Sequence, residues 1–254
     1  VDAAIEAFRV VFGAVANKIH HISSQADANL SACDHALKAV RELDKEVETS
    51  SGTLESSRGR AHALLGMSES LIEITTQSGV ETEDSAYIDA VVEAAGEIGR
   101  LFEAAVDGGR ISLGDLFDES YQPIAGSNPL QHTTRYLHFA DQVLPPLQET
   151  MLKFSPQVAF CAAIDRNGYL PTHNLKFSKP QGRDPQWNAA NCRNRRIFSD
   201  RTGMAAARNE KPYLLQTYRR DMGGGNHVLM KDLSAPIYVK GRHWGGLRMG
   251  YQFA

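Results

Sequence analysis

Cysteine is scarce in this chain of 254 residues. Cys33, Cys161 and Cys192 are widely spaced and form no CxxC pair. An odd number in that arrangement argues against a disulfide framework and against a structural zinc site. A reducing compartment, the cytoplasm, is the simplest setting. Long apolar runs are missing too: none approaches the ~20 residues that span a bilayer, and no signal peptide opens the sequence. The first residue is Val1 and not Met, so a trimmed chain that once carried a membrane anchor stays open. A net charge of −3 gives no global attraction to nucleic acid or membrane. What is present is ordinary for a globular protein with a real core: 42% hydrophobic and 22% charged residues.

Proline is absent where a long helix is expected. Ile5, Phe8, Phe12, Val15, Ile19, Ile22, Ala26, Asn29, Cys33, Ala36, Val40, Leu43, Val47, Ser50 and Leu54 recur at alternating spacings of three and four. That is a heptad seam, which must bury itself against another helix. Two partners fit: another arm of a bundle in the same chain, or a second copy in a dimeric coiled coil. Gly52 and Gly59 loosen the helix, and Gln77-Ser78-Gly79 reads as its stop. Ser85 is a candidate N-cap for a second helix with Ile88, Val91, Val92, Ala95, Ile98, Leu101, Phe102 and Ala105 on its apolar face. A further helix starts at Pro129 and is kinked at Pro145-Pro146.

The character changes at Pro156. An apolar strand over 158–164 leads into Asp165-Arg166-Asn167-Gly168, a hairpin turn, with a returning strand over 169–173. Asp184-Pro185 starts a helix carrying Trp187, Asn188, Asn191, Arg195 and Phe198. A short helix over 202–208 follows. Three strands come next, over 213–218, 227–239 and 244–251, with turns at Asp221-Met222-Gly223-Gly224-Gly225 and Lys240-Gly241-Arg242. Pro236 demands a bulge or an edge position in the second of these. The expected fold is α+β: long N-terminal helices, coiled coil or bundle, over 1–80, a helical linker over 81–155, and an antiparallel five-stranded sheet domain over 156–254.

Charge is distributed unevenly. Residues 42–119 hold 18 acidic side chains against five basic ones, whereas residues 183–220 hold nine basic against three acidic. Arg193, Arg195, Arg196, Arg219 and Arg220 fall on two elements that should converge. Arginine forks match carboxylate and phosphate, so a small anion is the natural ligand. Helical spacing puts Trp187, Asn191 and Arg195 on one face, and strand alternation puts Gln216, Tyr218 and Arg220 on another. With Asp232 and His173 these eight form the candidate ligand site. A register error of one residue would present Thr217 and Arg219 instead.

Four stretches are similar to a family of bacterial methyl-accepting chemotaxis proteins, mostly soluble. They are Cys161-Ala-Ala-Ile-Asp-Arg-Asn-Gly-Tyr-Leu-Pro-Thr-His-Asn174, Trp187-Asn-Ala-Ala-Asn-Cys-Arg-Asn-Arg-Arg-Ile-Phe198, Gln216-Thr-Tyr-Arg-Arg-Asp-Met-Gly-Gly-Gly225 and Ser234-Ala-Pro-Ile-Tyr-Val-Lys-Gly-Arg-His-Trp-Gly-Gly-Leu-Arg248. The linker with Gly66-Met-Ser-Glu-Ser70 and Gly79-Val-Glu-Thr82 also resembles theirs, so the likeness covers residues 60–254. It implies a PAS/Cache-like sensory domain, a helical signalling stalk, a homodimer through the N-terminal helices, and no enzymatic activity. The family's signalling tip, rich in Glu, Ala, Asn and Arg, is not found here. Contacts with the chemotaxis kinase and coupling protein are therefore implied for the parent protein only. Two alternatives stay open: a haem or redox sensor on the same scaffold, and a nucleic-acid-binding protein using the arginine cluster. Nine histidines raise haem, but no pair has zinc-like spacing and no CxxCH is present.

Overall fold

The computed structural model describes residues 2–77, 81–221 and 227–253. The chain divides into two compact units, Val1–Leu64 and Leu65–Ala254. Helix α1 (Asp2–Gln77) is continuous through Gly52 and Gly59, which were expected to loosen it. Each glycine costs about 1 kcal/mol in a helix interior. The Thr49 and Thr53 hydroxyls bond back to the carbonyls of Lys45 and Thr49 at 2.9 Å, as Ser70 does to Gly66. The large apolar seam side chains, from Ile5 to Leu54, are 48–70% exposed. Of the expected stop, Ser78 and Gly79 lie outside the described residues. Among the described residues no helix is long and apolar enough to cross a membrane.

The second unit is built on a four-stranded antiparallel sheet in the order β3-β8-β7-β6. Its strands are β3 (Val158–Asp165), β6 (Leu214–Asp221), β7 (His227–Val239) and β8 (Arg242–Gln252). The β7–β8 hairpin turns at Lys240 and Gly241, with φ of 53° and 74°, the pair of positive angles that a two-residue hairpin needs. Pro236 is accommodated because β6 pairs with β7 only as far as Ser234. At Pro236 the strand has β8 as its one neighbour, and the register shifts between Ile237 and Tyr238. The Gly-rich turn at 222–225 lies outside the described residues.

Five strands were expected. The returning strand, β4 (Tyr169–Leu170), leaves the sheet and pairs instead with β5 (Arg196–Ile197). The cause lies at the turn. Gly168 takes φ 86°, and its amide bonds the carbonyl of Asp165. Asp165 Oδ1 accepts from the amides of Asn167 and Tyr169 at 2.9 Å each, while Oδ2 accepts from the hydroxyls of Tyr121 and Tyr136 at 2.7 and 2.8 Å. A buried carboxylate with four donors holds the chain away from the ladder. Burial pushes the Asp165 carboxyl above its ordinary pKa, against the pull of those donors.

Alternation along the strands gives the sheet two unlike faces. Cys161, Ala163, Leu215, Leu233, Ala235, Leu247, Met249 and Tyr251 point to one face and belong to the hydrophobic core. Helix α2 (Ser85–Asp107) and helix α4 (Leu137–Leu152) cover it. Ile88, Val91, Ala95, Ile98, Phe102 and Ala105 of α2 are buried as expected, whereas Val92 and Leu101 are 40% exposed. The helix comes close enough that a Cβ on Gly99 would sit 2.6 Å from the carbonyl oxygen of Tyr238. Trp244 is buried against the rings of Phe102 and Tyr136, and its indole N–H donates to Leu116, at the end of helix α3 (Leu113–Leu116). Asp84, just before α2, bonds Lys231 Nζ at 2.8 Å and the Tyr251 hydroxyl at 2.7 Å.

Pro129 does not start a helix. It lies between the short strands β1 (Gln122–Pro123) and β2 (His132–Thr133), and α4 begins at Leu137 and continues through Pro145 and Pro146. The backbone there is occupied elsewhere. Gln181 accepts from the Asn128 amide and donates to the Pro129 carbonyl, and Asn188 Nδ2 donates to the Asn128 carbonyl.

Candidate functional site

The other face of the sheet carries Phe160, Gln216, Tyr218, Asp232, Ser234 and Arg248. A cavity of about 440 Å³ opens on it. Phe160 of β3, Tyr218 and Arg219 of β6, and Arg248 of β8 line it from the sheet. Leu170 and His173 line it from the segment after β3. Arg193, Phe198 and Asp200 come from the connection before helix α6 (Arg201–Ala207), which adds Arg201 and Thr202. Asp200 caps that helix by accepting from the Gly203 amide.

Arg248 is 7% exposed and Asp232 fully buried. Cross-strand register brings them together, since Asp232 faces Gly250 and Ser234 faces Arg248. Nε of Arg248 donates to Oδ1 of Asp232 at 3.2 Å and Nη2 to Oδ2 at 2.7 Å. Burial alone would lower the arginine's pKa, and the carboxylate overcomes that and holds it above the ordinary value. The guanidinium lies 5.8 Å from the centre of the Phe160 ring. That ring sits over Gly250, where a Cβ would come within 2.1 Å of a ring carbon. On the opposite wall the Arg193 guanidinium lies 5.2 Å from the centre of the Phe198 ring.

His173 is buried between Phe160 and Phe177, and its Nδ1 accepts from the Asn174 amide at 2.8 Å. The neutral ring therefore carries its proton on Nε2. An imidazole in that tautomer has no free lone pair for haem iron or for taking a proton. Gln216 Nε2 donates to the Thr202 carbonyl at 3.1 Å. Gln216 Oε1 and Ser234 Oγ, both buried on this face, find no hydrogen-bond partner among the described residues. Burial pushes up the pKa of the Cys161 thiol, which is fully buried on the opposite face. Among the described residues no three or more His, Cys, Asp or Glu gather as metal ligands.

Of the eight expected site residues, His173 and Tyr218 line the cavity, Asp232 backs Arg248, and Gln216 lies on the same face. The side chain of Arg220 lies outside the described residues. Trp187, Asn191 and Arg195 are elsewhere. The helix expected to carry all three, α5 (Pro185–Asn191), starts as predicted, with Asp184 capping Gln186, but stops after seven residues. The 177–179 segment ends it: Lys179 donates to the Asn191 carbonyl, Arg193 donates to the Phe177 carbonyl, and Ser178 bridges Cys192. Trp187 is 45% exposed, and its carbonyl accepts from Asn191. Arg195, with φ 62°, donates to Asp141 of α4 at 3.1 Å. Arg196 is bonded to the Ala189 carbonyl.

Arg248 was missed as a site residue. The signal was present: a single arginine between Leu247 and Met249 in a strand, and a lone aspartate, Asp232, in the strand beside it. Each is too costly to bury alone, which points to a pair. No protein-family model matches this chain, and no curated protein matches it either.

Proposed function

We propose that the chain is the ligand-sensing part of a chemotaxis-type signal transducer, and that the cavity on the polar sheet face takes a small anionic metabolite. One observation carries this reading: Arg248 stands in the cavity wall, nearly buried, locked side-on by Asp232. Arg193, Arg201 and Arg219 bring further positive charge to the same space. Aromatic rings beside a few placed polar groups are the usual make-up of a small-molecule site. A binding role is supported by the imidazole in the lining, whose Nδ1 accepts from the Asn174 amide. A haem sensor fits the His173 tautomer poorly. A nucleic-acid site fits the arginine cluster poorly, since Arg195 and Arg248 are paired with aspartates.

In this reading the exposed seam of α1 pairs with a second copy of the chain, and kinase coupling belongs to the parent protein. Sedimentation at micromolar concentration should report a dimer, and Val15→Asp with Ile19→Asp should give monomers. A wild-type monomer would remove the dimer from the proposal. The ligand claim is tested by thermal shift on the whole chain against anionic, neutral and cationic metabolites. An anion at a hundred times its Kd should add about 2.7 kcal/mol of stability. Stabilisation confined to neutral or cationic compounds, or none at all, would sink the anion site.

A further inference from the structure

Helix α6 divides the polar face of the sheet. Its first residues, Arg201 and Thr202, line the cavity described above. Its middle lies so close to β8 that a Cβ on Gly246 would come 2.9 Å from the Ala206 carbonyl oxygen. Beyond its last turn a second, open cleft of about 440 Å³ is lined by Arg166, Asn167, Arg208, Glu210, Arg242 and His243. We propose that this cleft is a second ligand site, separate from the first, and that it takes a phosphate group.

Three segments supply the cations, and each is fixed by a different contact. Arg166 sits in the turn after β3, where its amide bonds the Trp244 carbonyl at 2.9 Å and its Nε donates to Glu119 at 2.6 Å. Arg242 opens β8, with its guanidinium 4.0 Å from the centre of the Phe117 ring, a contact that uses none of its N–H groups. Arg208 follows α6, its amide bonded to the Met204 carbonyl at 3.1 Å. Among the described residues the side chains of Arg208 and Arg242 make no hydrogen bond and no ion pair. The Nε2 atom of His243 is buried and finds no hydrogen-bond partner among them either. Burial lowers the imidazole's pKa, and the Glu210 carboxylate and the backbone carbonyls of Gly245 and Asn209 offset part of this.

The carboxylates that face these groups are two. Glu119 is taken by Arg166, and Glu210 lines the cleft without pairing to an arginine. The Asp221–His227 pair closes the opposite end of β7, about 40 Å along the strand from Val239 and its partner Arg242. A carboxylate has two oxygens in one plane and is satisfied by one arginine fork. A phosphate turns its oxygens to several sides, which suits donors arriving from a turn, a helix end and a strand start. The cleft holds on the order of fifteen water volumes, so the body of a small phosphate ester fits as well as the free ion.

The experiment is calorimetric titration of the whole chain, at constant ionic strength, with inorganic phosphate, glycerol phosphate and acetate. One of the two phosphates should bind with a Kd below about 1 mM, and acetate should bind about tenfold more weakly or worse. Which phosphate is tighter separates the free ion from an ester. Arg208→Gln and Arg242→Gln each change an exposed side chain, and circular dichroism checks their folding. Each should weaken phosphate by about tenfold or more, the loss of a charge-assisted hydrogen bond. In NMR spectra the ring signals of His243 should move along the titration, and those of His173, in the first cavity, should stay. Absence of phosphate binding, acetate as tight as phosphate, or full affinity in both arginine variants would each overturn the site. Movement at His173 with none at His243 would also overturn it, and would put the phosphate in the first cavity, where the anion reading would stand. A first cavity that binds no anion leaves this second site untouched.

Discussion

The two faces of the sheet are made from the same strands and differ by one residue of phase. On one face Leu215, Leu233, Leu247 and Met249 meet α2 and α4 in a core closed by Trp244. On the other, Gln216, Asp232, Ser234 and Arg248 stand where the next residue along each strand turns over, and a cavity remains. The apolar face gains stability from area removed from water. The polar face gains little, because a buried ion pair returns roughly what its desolvation cost. The Asp232–Arg248 pair is therefore a weak source of stability beside the apolar core.

Substitutions on either face separate packing from charge pairing. The largest effect is expected from Trp244→Ala, which removes a buried indole and leaves Leu116 without its donor: about 4 kcal/mol lost in denaturant unfolding. Leu101→Ser, on the outer side of the same helix that covers Trp244's face, serves as the contrast and should change stability by less than about 0.5 kcal/mol. Asp232→Ala should cost about 3 kcal/mol, because it strands a buried guanidinium. The double variant Asp232→Leu with Arg248→Met sharpens the point. It should regain stability to within about 1 kcal/mol of wild type while losing anion binding altogether. A double variant as unstable as Asp232→Ala would mean that the pair holds the sheet together.

Local chemistry was legible in the sequence. The unbroken periodicity of α1, the β3 run, the Asp184-Pro185 helix start and the Lys240-Gly241 turn all stand where the residues put them. What stayed hidden depends on partners distant along the chain. Nothing near Tyr169 says that Tyr121 and Tyr136 will fix Asp165 and pull the returning strand out of the sheet. Nothing in the α5 sequence says that backbone at 177–179 will end the helix before Arg195. That one termination moved Arg195 to Asp141 and put Arg193 in the cavity instead. Of the expected site residues, Gln216, Tyr218 and Asp232 share one sheet face, as alternation along β6 and β7 requires. The helix residues were not legible in this way, because their phase held only while the helix continued.

Lys231 and Asp232 are neighbours on β7 with opposite charge, and each is held on a different face of the sheet. Lys231 grips Asp84 beside α2, and Asp232 grips Arg248. A slip of β7 by one position would drive the aspartate into an apolar core and set the lysine against an arginine. Two adjacent letters thus act as an alignment key. The correct threading of the central strand satisfies both charges, and the nearest wrong threading penalises both.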